Sequence, residues 1–184
     1  MTDPAPETSP PDNPRVREAQ DRFIATWGQA GSTWGISRTM AEVHALLFIT
    51  GEALCTDDAM DRLQISRGNA SMTLRALQEW GIITRVHKRG DRKEYFEAEQ
   101  DVWTLFKTIA RERKKRELDP VTADLYEIRD ITASEKGDGE ISDHNQRLDD
   151  MLEFFETIQQ LSDTLIGPKG AGLRAAFNLL GKVK

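Results

Sequence analysis

The sequence has a single cysteine, Cys55. No disulfide can form within the chain, which fits a reducing compartment. Its three histidines, His44, His87 and His144, stand too far apart in sequence to suggest a metal-ligand cluster. There is no apolar run of the roughly 18–20 residues that a membrane-spanning helix needs. The N-terminus lacks the basic start and apolar core of a signal peptide. These absences point to a soluble cytoplasmic protein. The glycine-rich segment 167–172 lacks the Gly-Lys-Ser/Thr ending of a phosphate loop, and 136–140 lacks the alternating acids of a calcium loop. No set of nucleophile, base and oxyanion donor is legible. An enzyme is not expected, nor is any metal or cofactor.

Positive charge is also scarce overall, at a net charge of -6 and a pI near 5.2. Its placement is uneven. Between Arg67 and Lys93 lie seven Lys/Arg and two acids, a local charge of +5, so the rest of the chain carries -11. A basic patch on an acidic body is compatible with attraction to a polyanion, because the local field steers the encounter.

Met1 to Asn13 holds four of the seven prolines and no large apolar residue after Met1. Such a stretch cannot offset its ordering entropy and is read as a disordered tail. Asn13-Pro14 then reads as a helix cap and first residue. Val16, Ala19, Phe23 and Trp27 form an apolar stripe, and a stop is expected near Gly31. A second helix is predicted over about 36–50, with Ile36, Met40, Val43 and Leu47 inward. Ala53 to Cys55 reads as a small strand. Thr56 is the expected cap of a short helix ending near Gln64, with Asp57 and Asp58 favoured by its dipole. Ser66 caps the next helix, Arg67 to Trp80. Its inner face is Ala70, Leu74 and Leu77, and Gly81 ends it. Residues 82–87 and 94–97 read as paired strands around a Gly90-Asp91 turn. Long helices follow, at about 100–117, 120–133 and 143–165. Ser134 to Ser142 is expected to be a loop, and a last short helix carries Leu173, Ala176, Phe177 and Leu180.

The fold class is therefore mainly α with a small β-hairpin wing: a winged helix-turn-helix plus a helical dimerisation region. The expected division is a disordered tail at 1–13, a winged helix-turn-helix DNA-binding domain with its N-terminal helix at 14–98, and a helical dimerisation or effector region at 99–184. In this arrangement the helix 67–80 enters the DNA major groove. Its outward residues near the N-terminus are Arg67, Asn69, Ser71, Met72 and Arg75. Arginine can donate two bonds to guanine, asparagine can pair with adenine, and methionine can meet a thymine methyl. Ser66, Ser71 and the helix N-terminus suit phosphate. Lys88, Arg89, Arg92 and Lys93 at the hairpin tip suit phosphate or the minor groove, and supply affinity rather than major-groove specificity.

The run Ser66-Arg67-Gly68-Asn69, then Ser71-Met72, Leu74-Arg75 and Leu77, with the hairpin motif Arg89 to Lys93 and Tyr95 after it, resembles the winged-helix segment of the GbsR-type branch of the MarR superfamily of transcriptional regulators. The resemblance covers about Phe23 to Leu165 and is strongest over 50–98. It implies a homodimeric repressor or activator, and control by a small-molecule effector such as choline in members that govern osmoprotectant synthesis.

A two-fold dimer is the usual way for such a domain to read enough base pairs. The helices at 14–30 and 100–165 are the available material, and the adjacent Phe154 and Phe155 imply a second apolar face. Trp27, Trp34, Trp80 and Trp103 are the candidates for an aromatic cage around a cationic effector. Trp34, in a glycine-containing loop, is the one least committed to a core. The expected partners are double-stranded DNA, a second copy of the chain and a small-molecule effector, with no membrane, at a cytoplasmic, nucleoid-associated location. Two other readings compete: a DNA-organising protein without a defined operator, and a winged-helix protein-interaction module.

Overall fold

The computed structural model describes residues 13–135 and 139–166. Residues 1–12 of the expected tail at 1–13, and the expected last helix near 173–180, lie outside the described residues. The chain divides into two compact units, Met1–Gln100 and Asp101–Lys184.

The first unit begins with α1 (Pro14–Thr33), capped by the Asn13 side chain, which accepts from the Arg15 N–H at 3.0 Å. Val16 and Ala19, expected to be inward, are exposed. The buried face is instead Ile24, Gly28 and Gly31, with Phe23 and Trp27 half-buried beside it. The reason is close helix packing: a Cβ on Gly31 would fall 2.5 Å from the Cβ of Ala41 on the next helix. The two backbones approach where side chains are smallest, rather than along the larger stripe.

That next helix, α2 (Arg38–Thr50), starts two residues later than the expected Ile36 and follows Ser37. Ala41, Val43, His44, Ala45, Leu46 and Leu47 are all buried, so this helix has no solvent face over its middle. It packs against α1 and also against the recognition-type helix and a strand. Burial of each fully enclosed leucine or valine stabilises by about 1.5–3 kcal/mol.

Strand β1 is Leu54–Cys55, and α3 is Thr56–Leu63. The cap of α3 is Cys55, not the expected Thr56, because the strand carries extended backbone through residue 55. The Asp58 carboxylate accepts from the Cys55 N–H at 2.7 Å. The link to α4 (Arg67–Glu79) turns at Gln64, whose φ of 53° is left-handed although it is not glycine. The Ser66 hydroxyl accepts from the Asn69 N–H at 3.3 Å and caps α4. Ala70, Leu74 and Leu77 are buried as expected, joined by Thr73. Gly81, at φ 68°, takes the left-handed conformation that ends the helix.

Strands β2 (Ile83–Val86) and β3 (Tyr95–Ala98) form the hairpin. The antiparallel sheet has the order β1-β3-β2, with Cys55 and Val86 both opposite Tyr95. Gly90 at the tip has φ 88°, which makes the turn accessible.

The second unit differs more from expectation. In place of separate helices at 100–117 and 120–133, α5 (Val102–Arg113) runs through a π-helical turn, Lys114–Leu118, into α6 (Asp119–Asp130). Pro120 has no N–H and crowds the carbonyl four residues back. The wider turn, closed by the Asp119 N–H donating to the Lys114 carbonyl, accommodates it without ending the helix. Helix α7 (Gly139–Ile166) begins inside the stretch expected to be a loop. It is tied to the π turn by Lys114–Asp163 at 3.0 Å, and to α6 by Gln159 donating to Thr122 at 3.1 Å and Arg129–Asp149 at 2.7 Å. The basic run 111–116 is thus largely engaged: Arg111 donates to the Ile166 carbonyl at 3.1 Å, and Arg116 pairs with Glu112 at 3.2 Å. No helix among the described residues is long and apolar enough to cross a membrane.

Candidate nucleic-acid interface

Helices α3 and α4 and the β2–β3 hairpin form a helix-turn-helix with a wing. The core face of α4 fixes the rest: with Ala70, Thr73, Leu74 and Leu77 buried, Asn69, Met72 and Arg75 must face outward. Met72 is 73% exposed. An apolar side chain so exposed on an otherwise polar helix face needs an account, and a groove lined by base methyl groups is one. Ser71 is half-buried and Gly68 opens onto free space. Asn69 is exposed, and its carboxamide oxygen accepts from the Thr73 hydroxyl at 3.4 Å.

The cations fall into two sets. The side chains of Arg75, Arg89 and Arg92 are exposed and have no ion-pair or hydrogen-bond partner among the described residues. Arg67, Lys88 and Lys93 are engaged. Lys88 donates to the Ala53 carbonyl at 3.0 Å and lies 4.0 Å from the centre of the Tyr95 ring. Arg67 and Lys93 both pair with Asp57, at 2.5 and 3.0 Å. Lys93 is the main cause, and Arg67 the next, of an Asp57 carboxyl held below the usual carboxylate range. Asp57 therefore connects the first turn of α4 to the wing, and the two basic surfaces are continuous. Sequence reasoning missed this. Asp57 reads locally as a dipole-favoured acid in the first turn of α3, and nothing in its spacing signals partners ten and thirty-six residues away.

The wing turn is braced as well. Asp91 accepts from the Lys93 N–H at 2.9 Å and from the Tyr95 hydroxyl at 2.7 Å. Donation to Asp91 pushes the Tyr95 phenol up to about 12, and the Asp91 carboxyl below its ordinary range. Arg85 pairs with Glu94 across the strands at 2.8 Å.

Trp34 lies away from this face. It is 55% exposed and meets Trp27 edge to face at 6.0 Å. Trp27 stacks on Phe23 at 5.7 Å, and Phe48 stacks on His44 at 6.1 Å. Phe23 and His44 are thus further ring neighbours of Trp27, and Trp27 is itself a ring neighbour of Trp34. Among the described residues, no group of three or more His, Cys, Asp or Glu is placed to hold a metal.

Residues 34–94 match the family model described as MarR family. The chain is 22% identical over 163 residues to the HTH-type transcriptional repressor GbsR of Bacillus subtilis (strain 168), covering 84% of this chain and 90% of that protein. It is 18% identical over 153 residues to the putative HTH-type transcriptional regulator YvaV of the same organism, covering 79% and 86%. A solved structure described as a transcriptional regulator superposes with a TM-score of 0.58 at 19% identity, covering 81% of this chain and 96% of that one. That likeness is one of fold.

Proposed function

We propose that this chain, which carries a MarR-family segment at residues 34–94, is a DNA-binding transcriptional regulator that reads its operator as a homodimer. The observation that carries the reading is the continuity of the outward face of α4 with the basic wing, in a chain whose remaining charge is strongly negative. A face of that sign attracts backbone phosphate, while the acidic remainder disfavours wrapping or coating. Arg89 and Arg92 contact phosphate. Asn69, Met72 and Arg75 read base edges, with Arg67 and Ser71 at the groove's rim and Ser66 serving mainly as the cap. The exposed apolar residues Val102, Phe106, Met151, Phe154 and Leu161 support a partner copy against the second unit.

Selection of bound fragments from a mixed pool, followed by binding titrations on the selected site, tests this. Arg89→Ala with Arg92→Ala should weaken binding to every sequence and lower the salt slope by about 1.8, at about 0.9 per phosphate. Asn69→Ala should relax preference at one base position, a loss of about 1–3 kcal/mol of discrimination. Selection of no common sequence would sink the operator reading in favour of a DNA-organising protein. The candidate place for effector control is the Trp27–Trp34 end of the first unit, where Trp34 is exposed.

A further inference from the structure

Asp57 occupies the first turn of α3, the helix that braces α4. Its Oδ1 accepts from an Arg67 guanidinium nitrogen at 2.5 Å and its Oδ2 pairs with the Lys93 ammonium at 3.0 Å. One carboxylate thus spends both oxygens on the two cations that flank the junction of helix and wing. The neighbouring acids are occupied elsewhere: Asp58 by the Cys55 N–H, Asp91 by Tyr95 and the Lys93 N–H, and Glu94 by Arg85. Both cationic side chains are more than half exposed, so an outside anion can reach them. Exposed pairs of this kind add little to folding stability. The consequence of this one therefore lies on the surface, where a negative charge stands among the groups a polyanion must meet.

We infer, on the DNA-binding reading above, that Asp57 is a built-in competitor for phosphate: it holds Arg67 and Lys93 in the free protein and gives them up to the DNA backbone on binding. The exchange replaces two contacts to a carboxylate with two to phosphates and leaves Asp57 ionised beside the duplex. There it repels phosphate or takes up a cation from solution. Both effects oppose the counterion release that drives association. Asp57 accordingly lowers affinity on all sequences alike and has no part in the choice of site, because phosphate contacts carry no base information.

The test uses the full chain, a mixed-sequence duplex and a salt series read by fluorescence anisotropy. Asp57→Asn keeps the shape and removes the charge. It should bind about three- to tenfold tighter at low salt, with a salt slope steeper by about 0.9, one phosphate equivalent. Asp57→Glu, which keeps the charge, should bind as the parent protein does. In an Arg67→Ala, Lys93→Ala background the gain from Asp57→Asn should shrink to the part due to repulsion alone, since the competed groups are gone. A gain of the same size in that background would overturn the inference in favour of a diffuse charge effect. Weaker binding by Asp57→Asn would overturn it in favour of a positioning role for the carboxylate. Failure of the parent protein to bind any duplex at low salt would instead refute the DNA-binding reading, and the competition with it.

Discussion

Lowering the pH should destabilise this protein through one histidine. His44 sits in the middle of α2, 3% exposed, with Trp27 6.5 Å away on one side and Phe48 6.1 Å away on the other. Among the described residues, its Nε2 has no hydrogen-bond partner. Burial without a compensating acceptor disfavours the imidazolium and lowers the pKa from 6.5 to about 4. The unfolded chain keeps the ordinary value. Between these two values the unfolded state binds a proton that the folded state refuses, so stability falls as pH falls. At 1.36 kcal/mol per pH unit, the loss across the window is about 3 kcal/mol, of which about 2 kcal/mol is reached by pH 4.5. Below the folded value both states are protonated and this contribution levels off.

His44→Phe isolates the effect. Phenylalanine fits a site already walled by rings, removes the unpaired nitrogen and does not titrate. Urea unfolding of both proteins at pH 7 and pH 4.5, at one fixed protein concentration, gives a double difference. The carboxylates, Asp57 and Asp91 among them with pKa values held below the ordinary one, are common to both proteins, so any contribution they make cancels. The parent protein should lose about 2 kcal/mol more than the variant. Equal losses would refute the reasoning, and would mean that the imidazole finds water or a proton acceptor when charged. At pH 7 the variant should be as stable as the parent or more so, since an unsatisfied buried nitrogen costs about 1–3 kcal/mol.

Two further outcomes follow from packing and from the exposed rings. Gly31→Ala should destabilise by about 1–3 kcal/mol in denaturant, because the new methyl meets the immobile Ala41 Cβ. Gly28→Ala should cost less, since its nearest neighbour, 2.6 Å away, is the Glu42 side chain, which can swing aside; equal costs would show that the α1–α2 contact is not limited by Gly31. Tryptophan emission should shift when choline or glycine betaine is added, if the Trp27–Trp34 surface receives a cation over its rings. A flat response at millimolar ligand, or a response that survives Trp34→Ala, would remove that surface as the effector site.

Elements with strong local signals could be read from sequence, and those set by tertiary contact could not. Asn13-Pro14, Ser66 and Gly81 mark helix ends through their own side chains or their lack of one, and α1 and α4 begin or stop where those residues stand. The Ala70, Leu74 and Leu77 spacing identified the buried side of α4 for the same reason. The inward face of α1 was misread because periodicity ranks large residues first, whereas the contact with α2 is made at glycine and alanine. The all-round burial of α2 has no periodic signature, since each of its sides meets a different element. A separate helix is expected from 120 because proline favours a helix start, but a single π turn carries the chain through from α5 into α6. At the candidate interface, residue types on α4 and in the wing were legible. Which cations are already spoken for was not, because that depends on Asp57 and Ala53 arriving from elsewhere in the chain.

On the proposed DNA-binding reading, that last distinction reorders the basic residues by what each would give up to reach DNA. Arg75, Arg89 and Arg92 exchange only hydration and side-chain freedom. Arg67 and Lys93 must also part from Asp57, an exposed exchange of one anion for another that is close to balanced. Lys88 stands apart. Moving its ammonium outward abandons the Ala53 carbonyl and the Tyr95 face together. The first contact links the wing back to the segment just before β1, and the second covers the ring that braces the turn through Asp91. A lysine held by both is worth more as a strut than as a phosphate ligand. Equal charge in the hairpin therefore does not mean equal role: on the proposed reading the two arginines at its tip supply affinity, and Lys88 keeps the tip where they can.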